Sequence, residues 1–185
     1  MGDFNAKVGD ERQEDVVGPN GIGTVNERGR SGSTEDCPLC RCISTSSTVN
    51  CENLGLLEIP TEKSTLEKAI VLNLNYNQIR EIRSGAFADM KFLLELKLIG
   101  NGIRTIEIGA FKESDLPQLE YLSLESNELE SIESETFSNM PRLYLINLSG
   151  NRITHISQDA FKGLTKLSKV HLYHNSLTSV AWVIG

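Results

Sequence analysis

The sequence VLNLNYNQI at residues 71–79 recurs four more times along this 185-residue chain, with the same residue types at the same positions. Apolar residues occupy its second, fourth and ninth positions, and asparagine always occupies the seventh. A fixed period in the twenties indicates a stack of similar coils. The further copies are ELKLIGNGI at 95–103, YLSLESNEL at 121–129, LINLSGNRI at 145–153 and KVHLYHNSL at 169–177.

The first half of each copy alternates between apolar and other residues, which is typical of a short strand. Successive side chains of a strand point to opposite faces, so we expect the apolar residues to point inward and the residues between them outward. Stacked coils then place these strands side by side. The pattern therefore predicts a parallel sheet along one face of the molecule.

The repeated asparagine stands where the chain leaves each strand. Its side-chain amide provides two donors and one acceptor, so it can pair with backbone groups of its own coil and of the adjacent coil. Buried backbone groups need such partners. The sequence therefore predicts a structural ladder formed by Asn77, Asn101, Asn127, Asn151 and Asn175, which are spaced by 24, 26, 24 and 24 residues.

A phenylalanine follows the asparagine after ten residues in four of the five copies. We expect these rings to fill the side of the interior opposite the sheet. The longer spacing of 26 residues implies a two-residue insertion, which the alignment of the copies places within Lys112–Pro117. The phenylalanines are Phe87, Phe111, Phe137 and Phe161.

The pattern L-x-x-L-x-L-x-x-N-x-L resembles that of leucine-rich repeat proteins. The resemblance implies an α/β-type, horseshoe-shaped solenoid with a parallel sheet on its concave face and little true helix. It divides the chain into a cap at residues 37–66 and five repeats at residues 67–185, of which the last is incomplete.

All four cysteines lie between Cys37 and Cys51, which suits a single structural unit. Four cysteines allow three pairings from sequence alone. A zinc site is the alternative, because Cys40-x-Cys42 is close to metal-ligand spacing, although no second C-x-x-C and no histidine lies nearby. The cluster resembles the N-terminal cap of extracellular leucine-rich repeat proteins, which implies the disulfides Cys37–Cys42 and Cys40–Cys51, no bound metal and no cofactor.

Residues 1–36 match no part of the repeat. The stretch GDFNAKVG at 2–9 resembles a motif of the LINE-type retrotransposon endonucleases, within the endonuclease/exonuclease/phosphatase superfamily. In that family the residues at the positions of Asp3 and Asn5 hold the scissile phosphate and the attacking water beside magnesium. The rest of such a site is absent, so we expect an inactive fragment. Its many glycines and few apolar residues favour disorder.

The amino-acid composition limits the kinds of partner that we expect for this chain. The net charge of −7 makes a nucleic-acid partner unexpected, since phosphate binding requires a basic surface. No apolar run approaches the ~18 residues of a membrane helix.

Disulfides imply an extracellular or cell-surface location. Met1–Asp10 lacks the features of a signal peptide, so we expect an incomplete or fused chain, with further repeats, a cap or a membrane tether in its missing C-terminal part.

The outward strand and turn positions form the predicted binding surface, because this face is broad, rigid and free of core packing. The aromatic residues among them suit a protein ligand, although scattered apolar surface residues are also common in proteins without one. The predicted contacts are Val71, Asn73, Tyr76, Glu95, Lys97, Ile99, Tyr121, Ser123, Glu125, Leu145, Lys169, His171 and Tyr173.

The leading hypothesis is a non-enzymatic protein–protein recognition module of a secreted or membrane-tethered protein, with its ligand on the concave sheet. The alternatives are a structural component of the extracellular matrix and a magnesium-dependent nuclease that uses Asp3 and Asn5. Asn147-Leu148-Ser149 forms an N-x-S sequon on the predicted sheet. A glycan on Asn147 would cover part of the sheet, whereas an unmodified sequon would leave the face free.

Overall fold

The computed structural model of the protein describes residues 39–43, 45–61 and 66–178. The segment 1–36, with Asp3 and Asn5, lies outside these residues, as does Cys37. Each of the five copies of the repeat forms one coil, and each coil contributes one short strand to a common sheet. The described part of the chain contains very little helix. The predicted leucine-rich repeat solenoid is confirmed.

The seven-stranded sheet contains a strand from every coil and two strands from the cap. The strands of the five coils pair in parallel. The two cap strands pair antiparallel with each other, and the second of them joins the strand of the first coil in parallel. The sequence-based prediction did not include the antiparallel pair. In spatial order the strands are β1 (Arg41–Ile43), β2 (Thr48–Asn50), β3 (Val71–Asn73), β5 (Glu95–Lys97), β7 (Tyr121–Ser123), β9 (Leu145–Asn147) and β11 (Lys169–His171).

Two smaller parallel pairs follow the asparagine turns. They arise where the second apolar residue after each asparagine points into the core, and they join coils one to two and three to four. The pairs are β4 (Glu81–Ile82) with β6 (Thr105–Ile106), and β8 (Ser131–Ile132) with β10 (His155–Ile156).

The core is a column of apolar side chains between the sheet and the opposite wall of each coil. Leu72 and Leu74, the inward residues of the first coil, are fully buried, as are their equivalents in the next three coils. The phenylalanines stack along the far side of this core, with ring centroids 5.5, 5.6 and 5.7 Å apart from Phe87 through Phe111 and Phe137 to Phe161. Both core predictions are confirmed.

The two-residue insertion forms the 3-10 helix Lys112–Ser114, which ends at Asp115 in the left-handed region with φ 51°. Its buried Ser114 hydroxyl donates to the Ala110 carbonyl and accepts from the Phe87 N–H at 3.2 Å. The extra residues therefore provide a partner for a backbone N–H of the preceding coil, next to the stacked phenylalanines.

The asparagine ladder joins consecutive coils in the predicted manner. Asn127 Nδ2 donates to the carbonyls of Leu124 in its own coil, at 3.0 Å, and of Leu98 in the preceding coil, at 2.8 Å. Its Oδ1 accepts from the N–H groups of Gly102 and Ile103, both at 3.0 Å. The other four ladder residues make equivalent bonds.

The cap covers the first coil and is fixed by a disulfide. Cys40 and Cys51 are bonded, as the family resemblance implied. Cys42 is also in a disulfide, but its expected partner Cys37 lies outside the described residues. Cys51 is fully buried, and its N–H donates to the Asn73 carbonyl at 2.8 Å. Zinc binding by Cys40 and Cys42 is incompatible with these disulfides.

Candidate binding surface

The outward side of the seven-stranded sheet, called the sheet face below, brings together residues from all five coils. Two of its columns are aligned by strand register. The first contains Val71, Glu95, Tyr121, Leu145 and Lys169, each paired with the next. The second contains Asn73, Lys97, Ser123, Asn147 and His171 in the same way. The structure thus places the predicted contacts side by side.

The turn after each strand adds two further columns to the sheet face. Ile99, Glu125 and Tyr173 occupy the first column, while Tyr76 occupies the second. Tyr76 and Tyr173 are the exposed aromatic residues among the predicted contacts, with 56% and 68% of their surface exposed. These two tyrosines lie at opposite ends of the stack of repeats, since one belongs to the first coil and the other to the fifth.

Ser123 corrects the prediction. It lies in an outward column, but it is fully buried and its hydroxyl has no hydrogen-bond partner. The reason is its position in β7 between two longer side chains, those of Lys97 in β5 and Asn147 in β9. A ligand on the sheet face cannot touch Ser123 unless these neighbours move.

The column of Tyr76 has a special backbone conformation. Its members Tyr76, Gly100, Ser126, Gly150 and His174 all have positive φ, between 54° and 68°. The Tyr76 ring covers Gly100 so closely that a Cβ at that glycine would lie 2.7 Å from Cδ1 of the ring. The glycine in the second coil therefore determines where the exposed tyrosine of the first coil rests.

Polar side chains fix the asparagines of the second column. Asn73 Nδ2 donates to Glu52 Oε2 at 2.9 Å, and Asn147 Nδ2 donates to Glu125 Oε2 at 2.8 Å. In both cases Oδ1 accepts the backbone N–H two residues later at 3.0 Å, which forms an Asx turn. Both amide atoms of Asn147 are therefore engaged, including the nitrogen that a glycan would occupy.

Three exposed apolar residues were missed by the sequence prediction because they precede the strands. They are Phe92, Leu94 and Tyr144, with 63%, 36% and 46% of their surfaces exposed. The signal was present in the sequence, since equivalent positions in other coils carry polar residues such as Gln118 and Ser168. They form an apolar region beside the sheet face.

A cleft of about 740 Å³ lies on the other flank, between the cap and the first coil. Leu57, Ile59 and Arg80 are among its lining residues. Arg83, also in its wall, is 2.5 Å from Glu81 and 3.7 Å from Glu58. The hydrogen bond and charge of Glu81, followed by the charge of Glu58, raise the pKa of Arg83. The two acidic and two basic lining residues of the cleft therefore balance in charge.

The part of the chain that the structure describes has neither a metal-binding cluster nor a membrane-spanning helix. Within residues 39–43, 45–61 and 66–178, no group of three or more histidine, cysteine or acidic side chains is arranged to hold a metal ion. The same residues include no helix long and apolar enough to cross a bilayer.

The stacked coils, parallel sheet and asparagine ladder define a repeat solenoid. The pattern of the family described as leucine rich repeat matches residues 67–129, 93–153 and 117–177, which together make up more than half of the chain. The chain belongs to the leucine-rich repeat family.

Several curated relatives are similar to part of this chain. Leucine-rich repeat-containing G-protein coupled receptor 5 of Homo sapiens is 34% identical over 87 residues, which are 47% of this chain and 9% of the receptor. Trophoblast glycoprotein of Macaca fascicularis is 34% identical over 108 residues, 56% of this chain and 25% of that protein. Leucine-rich repeat-containing protein 3 of Danio rerio is 33% identical over 105 residues, 55% and 38% of the two chains. This chain spans less than half the length of each.

The solenoid also resembles solved structures. A chain in the crystal structure of a TLR13–ssRNA13 complex superposes with a TM-score of 0.66 and 28% sequence identity. The match covers 74% of this chain and 19% of that chain. It therefore concerns the repeat stack, while most of the larger protein has no counterpart here.

Proposed function

We propose that this protein is a non-enzymatic recognition module that binds a protein ligand on the sheet face. The observation that carries the proposal is the exposure of Tyr76 and Tyr173 in the turns of the sheet face, which also includes the half-buried Tyr121 and Leu145. Tyrosines offer a large amphipathic contact area at a small cost in conformational entropy, and they are enriched among residues that dominate binding energy.

The setting we propose is extracellular or at the cell surface. The disulfide Cys40–Cys51 favours an oxidising compartment. The named relatives include a receptor and a glycoprotein, and their names suit the same setting. An anchored or secreted form of the whole protein is compatible with this proposal.

A free sheet face is part of the proposal, and it requires that Asn147 carries no glycan in the folded protein. A glycan would replace an amide hydrogen of Asn147 and disturb its bond to Glu125, while the sequon hydroxyl of Ser149 is buried. Because a glycan on Asn147 would cover part of the sheet face, the proposal expects an unmodified peptide around Asn147 in a mass spectrum of protein secreted from animal cells. A glycan at this residue in most of the folded protein would contradict this part of the proposal.

The binding experiment begins with a screen of secreted proteins and receptor ectodomains against the whole chain. For a protein found in this way, replacing Tyr121 and Tyr173 together with alanine should weaken the affinity at least about tenfold, as expected for aromatic residues that dominate binding energy. Surface plasmon resonance measures the change.

The matched control is Ile108→Ala, because Ile108 is highly exposed but follows β6 rather than a strand of the sheet face. It should leave the affinity unchanged. If the tyrosine variant binds as tightly as the unmodified protein while its thermal unfolding is also unchanged, the ligand does not use the sheet face.

A further inference from the structure

A second surface lies where the chain enters the strands, and it differs from the sheet face in its chemistry. We call it the edge surface and define it by Phe92, Leu94 and Tyr144 together with the basic residues Lys68, Arg142 and Lys166. All six are exposed. Lys68, Phe92, Arg142 and Lys166 occupy the same repeat position in four coils. Leu94 and Tyr144 occupy a second repeat position in two coils. The six residues therefore form two columns across the stack.

The column of Leu94 and Tyr144 is held by backbone hydrogen bonds that continue the sheet. Leu94 N–H donates to the Ile70 carbonyl at 2.8 Å, Glu120 N–H to Leu94 at 2.9 Å, and Tyr144 N–H to Glu120 at 2.9 Å. Leu94 and Tyr144 are therefore separated by one coil, and their backbones are about 10 Å apart at the usual strand spacing. Their positions are fixed before any partner arrives.

The second column contains Phe92 between basic and amide side chains. Its members are Lys68, Phe92, Gln118, Arg142 and Lys166, and Arg142 Nη1 donates to Gln118 Oε1 across adjacent coils. This column has three cations and no carboxylate, in a chain with a net charge of −7. No acidic side chain among the described residues forms an ion pair with these three cations.

Charged side chains next to these columns also contribute to the charge of the edge surface. Lys169 Nζ lies 5.5 Å from the Tyr144 ring centroid and adds positive charge near that ring. Glu95 is neutralised locally by Lys97, whose Nζ lies 3.2 Å from its carboxylate. Glu120 lies between Leu94 and Tyr144 and places a negative charge in the middle of the edge surface.

We propose that the edge surface binds an extended protein segment in which two apolar side chains flank a polar donor and acidic residues stand at both ends. One apolar side chain contacts Leu94 and Phe92, and the other contacts Tyr144. The donor faces Glu120, and the terminal carboxylates face Lys68 at one end and Arg142 with Lys166 at the other. Five coils span about 19 Å, which an extended segment of about six residues covers.

The inference is independent of the ligand on the sheet face, because none of its six defining residues belongs to the predicted contacts. The probe is a fluorescent peptide of sequence Glu-Glu-Leu-Ser-Asn-Ser-Phe-Glu-Glu, capped at both ends, which places its leucine, asparagine and phenylalanine on one face of an extended segment. Fluorescence anisotropy at low ionic strength should show binding. NMR chemical-shift changes should appear at Leu94, Glu120 and Tyr144.

Two peptides of equal length separate the contributions. One has lysine in place of every glutamate, and it should bind at least about tenfold more weakly because like charges now face each other. The other keeps the glutamates but has serine in place of leucine and phenylalanine, and it should lose a similar factor. Equal binding of this second peptide would overturn the proposal, since the surface would then be a general polyanion site.

Protein variants complete the test. Combined Arg142→Glu and Lys166→Glu substitutions should weaken the affinity for the acidic peptide at least about tenfold and strengthen the affinity for the lysine peptide. The control combines Tyr76→Ser with Tyr173→Ser on the sheet face and should change the affinity by less than about twofold. All four residues are exposed, so the fold should survive. Absence of saturable binding, or loss of binding only in the control, would reject the edge surface.

Discussion

The ladder asparagines act at the scale of single residues by serving two coils at once. Each donates to a carbonyl of its own coil and to one of the preceding coil, and Asn127 also accepts two N–H groups. A shorter side chain would reach none of these groups. The buried turn would then leave several backbone groups without partners.

We therefore expect Asn127→Ala to lower the free energy of unfolding by about 3 kcal/mol or more, because each buried unsatisfied polar group costs about 1–3 kcal/mol. Urea denaturation followed by circular dichroism measures the loss. Gln158→Ala is the matched control, since Gln158 is an exposed amide and its replacement should cost less than about 0.5 kcal/mol. Equal effects of the two changes would contradict the structural role of the ladder.

Glu128 illustrates a residue whose charge state is set by the adjacent coils. Its carboxylate accepts from Arg104 Nε at 2.7 Å and lies 3.4 Å from Arg152. The hydrogen bond from Arg104 is the main reason that the pKa of Glu128 is lowered, and the nearby arginine charges lower it further despite some burial.

The pH dependence follows from the direction of this shift. A carboxyl group with a lowered folded-state pKa stabilises the fold above its unfolded-state pKa, and this contribution is lost as the pH falls through the folded value. Arg104→Gln should raise the pKa of Glu128 towards that of an ordinary glutamate. Carboxyl carbon shifts in an NMR titration measure it, and Arg142→Gln should leave it unaltered. No rise in the Arg104 variant would refute the assignment.

The phenylalanine stack is the clearest feature at the scale of elements. Phe111 lies between Phe87 and Phe137, and all three rings are fully buried. Aromatic pairs at such distances add to the free energy of simple burial. The stack therefore ties the walls opposite the sheet together, where the described chain has few strands to do so.

Phe111→Ala should lower the free energy of unfolding by about 3–5 kcal/mol, the range for removing a buried ring. Phe92→Ala makes the same chemical change at an exposed site, so it should cost only a small fraction of that amount. Urea denaturation distinguishes the two variants by their midpoint concentrations, compared at the same slope of unfolding free energy against urea concentration. A loss for Phe92→Ala as large as that for Phe111→Ala would mean that burial does not explain the effect.

The described repeats form a line of coils, in which each coil contacts only its neighbours. Such stacks gain stability at every interface, and local opening can begin at one coil and spread. Burial is uneven along the line. The inward residues Leu122 and Leu124 of the third coil are fully buried, whereas Val170 and Leu172 of the fifth are half-buried.

Hydrogen exchange should reveal this gradient. We expect the backbone amides of Val170 and Leu172 to exchange at least about tenfold faster than those of Leu122 and Leu124, because opening the fifth coil exposes less apolar surface. Exchange followed by NMR at individual amides provides the test. Identical protection across the third and fifth coils would indicate one cooperative unit instead.

At the scale of the molecule, the repeat period accounts for most of the architecture. The position of the sheet, the ladder, the phenylalanine stack and the insertion at Lys112–Pro117 all followed from residue spacing. The antiparallel strand β1 did not, because the cap contains no repeat with which Arg41–Ile43 can be compared. The segment that contains Asp3 and Asn5 lies outside the described residues, so its resemblance remains a prediction.

The sequence by itself determined which side chains point inward and outward, because the two-residue period of a strand is a local property of the backbone. Only the tertiary structure decided which outward residues are accessible. Ser123 is buried by Lys97 and Asn147, and Tyr76 rests on Gly100. The physical reason is the close spacing of adjacent coils, which makes the size of a neighbour from another repeat decide whether a side chain meets solvent.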